Sequence, residues 1–272
     1  MTAYELYREA RLDEAIEVAL ARVKAQPTDL DARLLLCDLL CFDSQLQRAD
    51  RQLDVIREQD PALAGGVGLY RQLIRAEIAR GEVFDAGRAP EFLDGITDTL
   101  QLHLAASAAL RESRADDATS LLQQAEEHRS SVRGECDGES FEDLRDLDDL
   151  SAAFLEVLTS AGKYYWIGWE QIQRLEFRPP KYCRDLLWRE TEMVVRNRPE
   201  ALVYVPVLYP GSGRNRDPQL QLGRKTEWIE SFGGVTRGIG QRTLLVGDRD
   251  KSILSIASIS FLPEGAQSTS AA

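Results

Sequence analysis

A 272-residue chain with only two histidines offers few starting points for chemistry. His103 and His128 both fall in helical patterns. No cysteine or carboxylate stands near either at metal-ligand spacing, so each reads as a packing or surface residue. Asp185, Glu190, Glu192 and Glu227 could supply carboxylates for acid–base work, but nothing in their spacing pairs them. Arg184, Arg189, Arg224, Arg237 and Arg242 make the C-terminal half locally basic. They could converge on an anion or carboxylate ligand, or pair with neighbouring acids, as the planar guanidinium fork favours. Cys37 and Cys41, one helical turn apart, suit small buried side chains better than a metal or redox pair. The sequence has no GxSxG, HExxH or GxxxxGK[ST]. Gly238 and Gly240 form a GxG that lacks a third glycine and opens no helix, which fits a hairpin or bulge. No catalytic residue, metal ligand or cofactor site is therefore assigned.

The elements that would position these residues divide the chain in two. Leu12 and Leu46, Ala15 and Ala49, and Pro27 and Pro61 each recur at a spacing of 34. Each set opens an amphipathic helix and closes it with proline, the breaker that starts the next unit. A 34-residue helix-turn-helix period with a small residue early in the second helix is the tetratricopeptide pattern. Cys37 is the small residue of a first helix, within the almost wholly apolar run Leu34 to Leu40. A further copy fits around Ala118, with Leu100, Leu104, Ala105 and Ala106 in its first helix. Between these copies, Leu69 to Arg80 reads as helix and 81–95 as irregular. First helices of such arrays line a concave groove that takes peptides or helices, which makes Arg33, Leu36, Leu40 and Gln101 candidate contacts.

From about residue 130 the texture changes. Residues 131–150 read as an acidic linker with room for a short helix at 141–150. Beyond it, 164–167, 191–196, 201–209, 242–248 and 252–260 read as strands. Residues 168–177 and 184–190 offer short helical stretches, 233–241 a loop, and 264–272 a disordered tail. The expectation is an α+β chain. Tetratricopeptide-like repeats occupy 1–130, and a small, mostly antiparallel sheet or partly open barrel occupies 151–263. Four tryptophans, Trp166, Trp169, Trp188 and Trp228, lie in that second part, and any left exposed would mark an interface. The net charge of −12 argues against nucleic acid and anionic membranes, and no apolar run is long enough to span a bilayer. The N-terminus carries no secretory signal.

The ordered strings GKYYWIGWEQIQRLEF, PPKYCRDLLWRE, VYVPVLYPGS, LQLGRKTEWIE and VTRGIGQRTLLVGD resemble the ImpE family, also called TagJ or SciE-type proteins. These are accessory proteins of the bacterial type VI secretion system. LDEAIE and LDARLLLCDLL near the N-terminus are similar as well, so the likeness covers residues 4–262. It implies a cytoplasmic, non-enzymatic adaptor without a cofactor. The implied partners are the small sheath subunit TssB and, directly or indirectly, the sheath-dismantling AAA+ ATPase ClpV. No functional residue transfers with the likeness. Trp166, Trp169, Arg184, Asp185, Leu186, Leu187, Trp188, Gly240, Gln241 and Arg242 match the family motifs and could serve only to define the fold. The residues also leave open a small-ligand or anion-binding module, or a cryptic enzyme, in the C-terminal half, or a structural homodimer.

Overall fold

A computed structural model describes residues 1–230 and 234–263. Helices α1 (Ala3–Arg8) and α2 (Leu12–Ala25) form one hairpin, and α3 (Leu30–Phe42) and α4 (Leu46–Gln59) the next. The long α5 (Ala64–Ala86) stands alone, and α6 (Asp98–Arg111) and α7 (Ala115–His128) form a third hairpin. The small residues Ala3, Cys37 and Ala106 are buried in the first helices of the three hairpins, and Ala15, Ala49 and Ala118 in the second. Close helix crossing leaves room for nothing larger.

The turns repeat too. Ala10, Ser44 and Ser113 each take a left-handed conformation, with φ of 60°, 54° and 59°. In each turn the next residue's N–H closes back on the first helix: Arg11 to Leu6, Gln45 to Leu40 and Arg114 to Ala109. The segment expected to be degenerate does diverge, because α5 ends at Gly87 in a left-handed cap and no partner helix follows it. Asp29 and Thr97 cap α3 and α6 by accepting from the backbones of Ala32 and Leu100.

The second part is an open sheet of eight strands rather than a closed barrel. It contains β1 (Gly134–Cys136), β2 (Glu139–Phe141), β4 (Phe154–Leu158), β5 (Tyr164–Gly168), β6 (Ile172–Phe177), β7 (Trp188–Val195), β8 (Ala201–Pro206) and β13 (Ser258–Phe261). Their order is β2-β1-β13-β6-β7-β8-β4-β5, antiparallel throughout. The seam between β4 and β8 is a single registered pair, Leu158 with Tyr204. A smaller sheet joins β3 (Leu144–Asp146), β11 (Thr243–Val246) and β12 (Arg249–Ser252). The short helix α8 (Pro218–Gln221) leads into a ribbon of β9 (Thr226–Glu230) and β10 (Thr236–Gly240).

Five expectations need correction. Residues 131–150 are not a solvated linker: they supply β1 to β3, and Leu144, Asp146, Asp148 and Leu150 are buried. Helix in 141–150 shrinks to a 3-10 turn at Asp149–Ser151. The segment 233–241 contains β10 rather than a loop, with Gly238 fitted beneath the Tyr209 ring, which lies 2.3 Å from where a Cβ would stand. In 252–260 the strand β12 ends at Ser252 and β13 begins only at Ser258. The stretch 184–190 mixes a 3-10 turn, Cys183–Leu186, with the start of β7. The expected disordered tail lies outside the described residues. No helix among the described residues is long and apolar enough to cross a membrane.

Candidate functional site

Sheet and helices share one core. Tyr70 of α5 meets Trp188 edge-on at 5.8 Å, Phe84 lies 6.2 Å from Trp166, and His103 of α6 meets Phe154 at 5.6 Å. Burial pushes the His103 pKa down to about 4, so the ring is neutral and packs like an aromatic.

At the centre is a charged cluster that the sequence reading did not identify. Arg80 of α5 donates Nε to Glu156 Oε1 at 2.7 Å and Nη2 to Glu156 Oε2 at 2.9 Å. Its Nη2 also reaches the Leu208 carbonyl at 2.8 Å. Arg242 bonds the same Glu156 and also Asp146, while Tyr164 donates its hydroxyl to Glu156. Tyr209 donates to Asp146 at 2.7 Å, and Trp166 donates to the Tyr164 oxygen at 2.6 Å. Glu156, Asp146 and Arg242 are wholly buried. Burial alone would raise the Glu156 pKa, but the two guanidiniums and the Arg80 and Tyr164 hydrogen bonds overcome it and hold the carboxyl at about 2. Asp146 is pushed up to about 6 by burial, against the pull of Arg242. Glu156, Asp146 and Arg242 have no access to solvent and Arg80 keeps only 4%, so the cluster acts as a clamp between α5 and the sheet. The sequence signal was a lone Glu in the apolar run AAFLEVL; Arg80 is one of three arginines in α5, with Arg71 and Arg75, and carries no mark of its own.

The candidate groove residues separate from one another. Leu36 and Leu40 are 0% and 1% exposed. Arg33 is buried and committed to the Pro27 carbonyl at 2.8 Å and to the Gln52 side chain. Only Gln101 is exposed. The reason is topological: α3 lies against α2, α4 and the turn Cys183–Leu186, so the protein's own C-terminal half covers the face an open repeat array would present.

The motif residues mostly hold the fold. Trp169 donates to the Ala152 carbonyl at 3.0 Å, and Gln241 to the Gly223 carbonyl at 2.8 Å. Gly240 has φ 94°, and a Cβ there would lie 2.1 Å from the Lys225 carbonyl oxygen. Trp166 and Leu187 are buried, and Leu186 packs against the core. Asp185 accepts from the backbones of Lys181 and Tyr182 at 2.8 and 3.0 Å. Trp188 donates to Glu77 at 2.9 Å.

The five arginines do not converge. Arg189 binds the Ile256 carbonyl at 2.8 Å, Arg224 the Arg8 carbonyl at 2.7 Å, and Arg237 the Asp148 carboxylate at 2.9 Å. Nor do the carboxylates: Glu190 and Glu192 share Arg178, and Glu227 pairs with Lys225. No group of His, Cys, Asp and Glu among the described residues could hold a metal ion.

Of the four tryptophans only Trp228 is exposed, at 41%, beside Ile229 on the β9 ribbon. We expect acrylamide to quench a red-shifted minority of the tryptophan emission, and Trp228→Phe to abolish that component. Equal quenching of the variant would contradict the burial of the other three.

The fold and the clamped core define a helical-repeat scaffold whose second layer is its own antiparallel sheet. A family model described as ImpE protein matches residues 138–260. The type VI secretion system accessory component TagJ of Pseudomonas aeruginosa is 30% identical over 266 residues, which cover 98% of this chain and 93% of that protein. The crystal structure of protein VPA1032 from Vibrio parahaemolyticus superimposes with a TM-score of 0.90 at 25% identity, covering 96% of this chain and 98% of that one. The chain belongs to the ImpE/TagJ family.

Proposed function

We propose that this protein is an accessory component of a type VI secretion system. It works in the cytoplasm as a non-enzymatic adaptor that holds the small sheath subunit and assists sheath recycling by the ClpV-type ATPase. The observation that carries this reading is the 30% identity to TagJ along 98% of the chain. The geometry is compatible with it: the buried charges serve a clamp, and Glu190, Glu192 and Glu227 pair with Arg178 and Lys225 rather than converging on a site. A clamped two-layer body makes a rigid platform, and preorganisation lowers the entropic cost of holding a partner.

The test is isothermal titration of the full chain with the purified cognate small sheath subunit, and separately with the ATPase. Saturable binding of the sheath subunit at micromolar affinity or tighter is the expected result. Silence toward both proteins would overturn the adaptor reading.

A further inference from the structure

A sheet edge is a row of unpaired N–H and C=O groups that invites another strand, and most edges of this chain are guarded. The outer side of β5 is covered by Glu91, whose N–H donates to the Tyr164 carbonyl and whose carbonyl accepts from Trp166. Strand β2 is only three residues long, and β12 carries Arg249, Asp250 and Lys251. The outer side of β10 is met by side chains: Asp149 accepts from the Thr236 N–H at 2.7 Å and Asp148 from the Gly238 N–H at 2.9 Å.

Strand β9 has no such cover. It pairs only with β10, and none of Thr226–Glu230 is buried. It also carries Trp228 and Ile229, 41% and 50% exposed. The phase of the ladder fixes which backbone groups are free. The Gln241 N–H donates to the Lys225 carbonyl at 3.1 Å, and the register with β10 runs unbroken from there to Glu230. Bonded residues alternate along an antiparallel strand, so Lys225, Glu227 and Ile229 turn their N–H and C=O toward β10. Those of Thr226, Trp228 and Glu230 point outward, where no described residue bonds them.

Independently of the adaptor reading, we infer that β9 pairs with β9 of a second copy, antiparallel across a two-fold axis at Trp228. Outward groups are exchanged only where outward residues stand opposite one another. An axis at Trp228 achieves this: Trp228 meets its own counterpart, and Thr226 meets the second copy's Glu230. The side chains agree with that register. Glu227 falls opposite Ile229, so no two carboxylates stand face to face, and the Trp228 rings come side by side. Sliding the pairing until Trp228 faces Thr226 would set Glu227 against its own copy, which like-charge repulsion disfavours. The contact uses the same edge of both copies, so it closes at two. One strand pair is smaller than a standard interface, and each copy carries a net charge of −12, so the dimer should be weak and tighten with added salt.

The experiment is sedimentation equilibrium of the full chain from about 10 μM to about 1 mM, alongside thermal melts. The weight-average mass should rise from 30.5 kDa toward twice that value, and acrylamide quenching of the exposed tryptophan emission should fall over the same range. Trp228→Pro removes an outward N–H and no bond to β10. It should weaken the dimer about tenfold or more while melting like the wild type. Trp228→Cys should form a disulfide between copies on mild oxidation, because Cα atoms of a bonded antiparallel pair lie about 5.5 Å apart, within disulfide reach. Asp248→Cys, at a side chain 98% exposed, should not. A mass of 30.5 kDa at every concentration overturns the pairing. So does a dimer that Trp228→Pro leaves unchanged, or cross-linking no faster in Trp228→Cys than in Asp248→Cys, since the copies then meet elsewhere.

Discussion

Glu156→Gln should destabilise the protein by about 3–5 kcal/mol, because it removes the carboxylate shared by two buried guanidiniums that cannot shed their protons, leaving Arg242 with Asp146 alone and Arg80 with the partly exposed Glu77. For a chain of this size that is a fall in melting temperature on the order of 10 °C. Arg242→Met should cost less. It leaves Asp146, whose pKa is already pushed up to about 6 and which can take a proton, and it leaves Glu156 with Arg80. Paired chemical denaturations read the difference directly, and an equal or larger loss for Arg242→Met would refute this account of the clamp. The same carboxylate sets an acid limit. Its folded pKa of about 2 lies below the ordinary 4.5, so its stabilisation is complete above that ordinary value and is lost as pH falls toward about 2. In Glu156→Gln that part of the acid sensitivity should disappear.

A fragment ending at residue 130 should fail to fold into its native packing. Its helices would expose the wholly buried Phe42, Tyr70 and Ile74 to water. Tyr70 would lose Trp188, and Phe84 would lose Trp166. Fully burying a large apolar side chain is worth about 1.5–3 kcal/mol, so losing several contacts of this kind exceeds what a small helical array can spare. Circular dichroism should show helix in the far ultraviolet with a weak near-ultraviolet signal and strong dye binding, the marks of lost packing. A cooperative melt of the fragment near that of the full chain would contradict the shared core. Binding studies on the isolated repeats would therefore mislead.

The repeats were legible because close helix crossing restricts residue size, and the small residues Ala15, Ala49 and Ala118 record that restriction. Their turns recur just as regularly, but a left-handed Ala10, Ser44 or Ser113 carries no sign in its residue type, and only glycine or asparagine would have shown it. The acidic stretch misled for an electrostatic reason. Asp146 and Asp148 read as solvated charge, yet they serve as internal ligands of Arg242 and Arg237, and such pairing appears only when distant segments meet. Glycine in the β10 segment suggested a loop, whereas the Tyr209 ring and the Lys225 carbonyl fill the space a side chain would need. Arg33, Leu36 and Leu40 are buried rather than open to a groove: one half of a chain cannot reveal what the other half covers. Arg184 carries a family match and a charge in the sequence; its place over the Tyr70 and Tyr182 rings, 3.9 Å from Asp185, is a property of geometry alone.

The single registered pair between β4 and β8 would by itself give the molecule a mechanical grain. Hydrogen bonds loaded in parallel share a force, and here one pair carries the seam, while β4 is tied to α5 by the two Arg80 bonds to Glu156. Side chains also cross this line: Arg242 joins Glu156 of β4 to Asp146 of β3, Arg80 holds the Leu208 carbonyl, and Trp188 of β7 donates to Glu77 of α5, so the helices and both parts of the sheet should resist a pull as one body. The unit that resists load is therefore not the one that sequence order would draw.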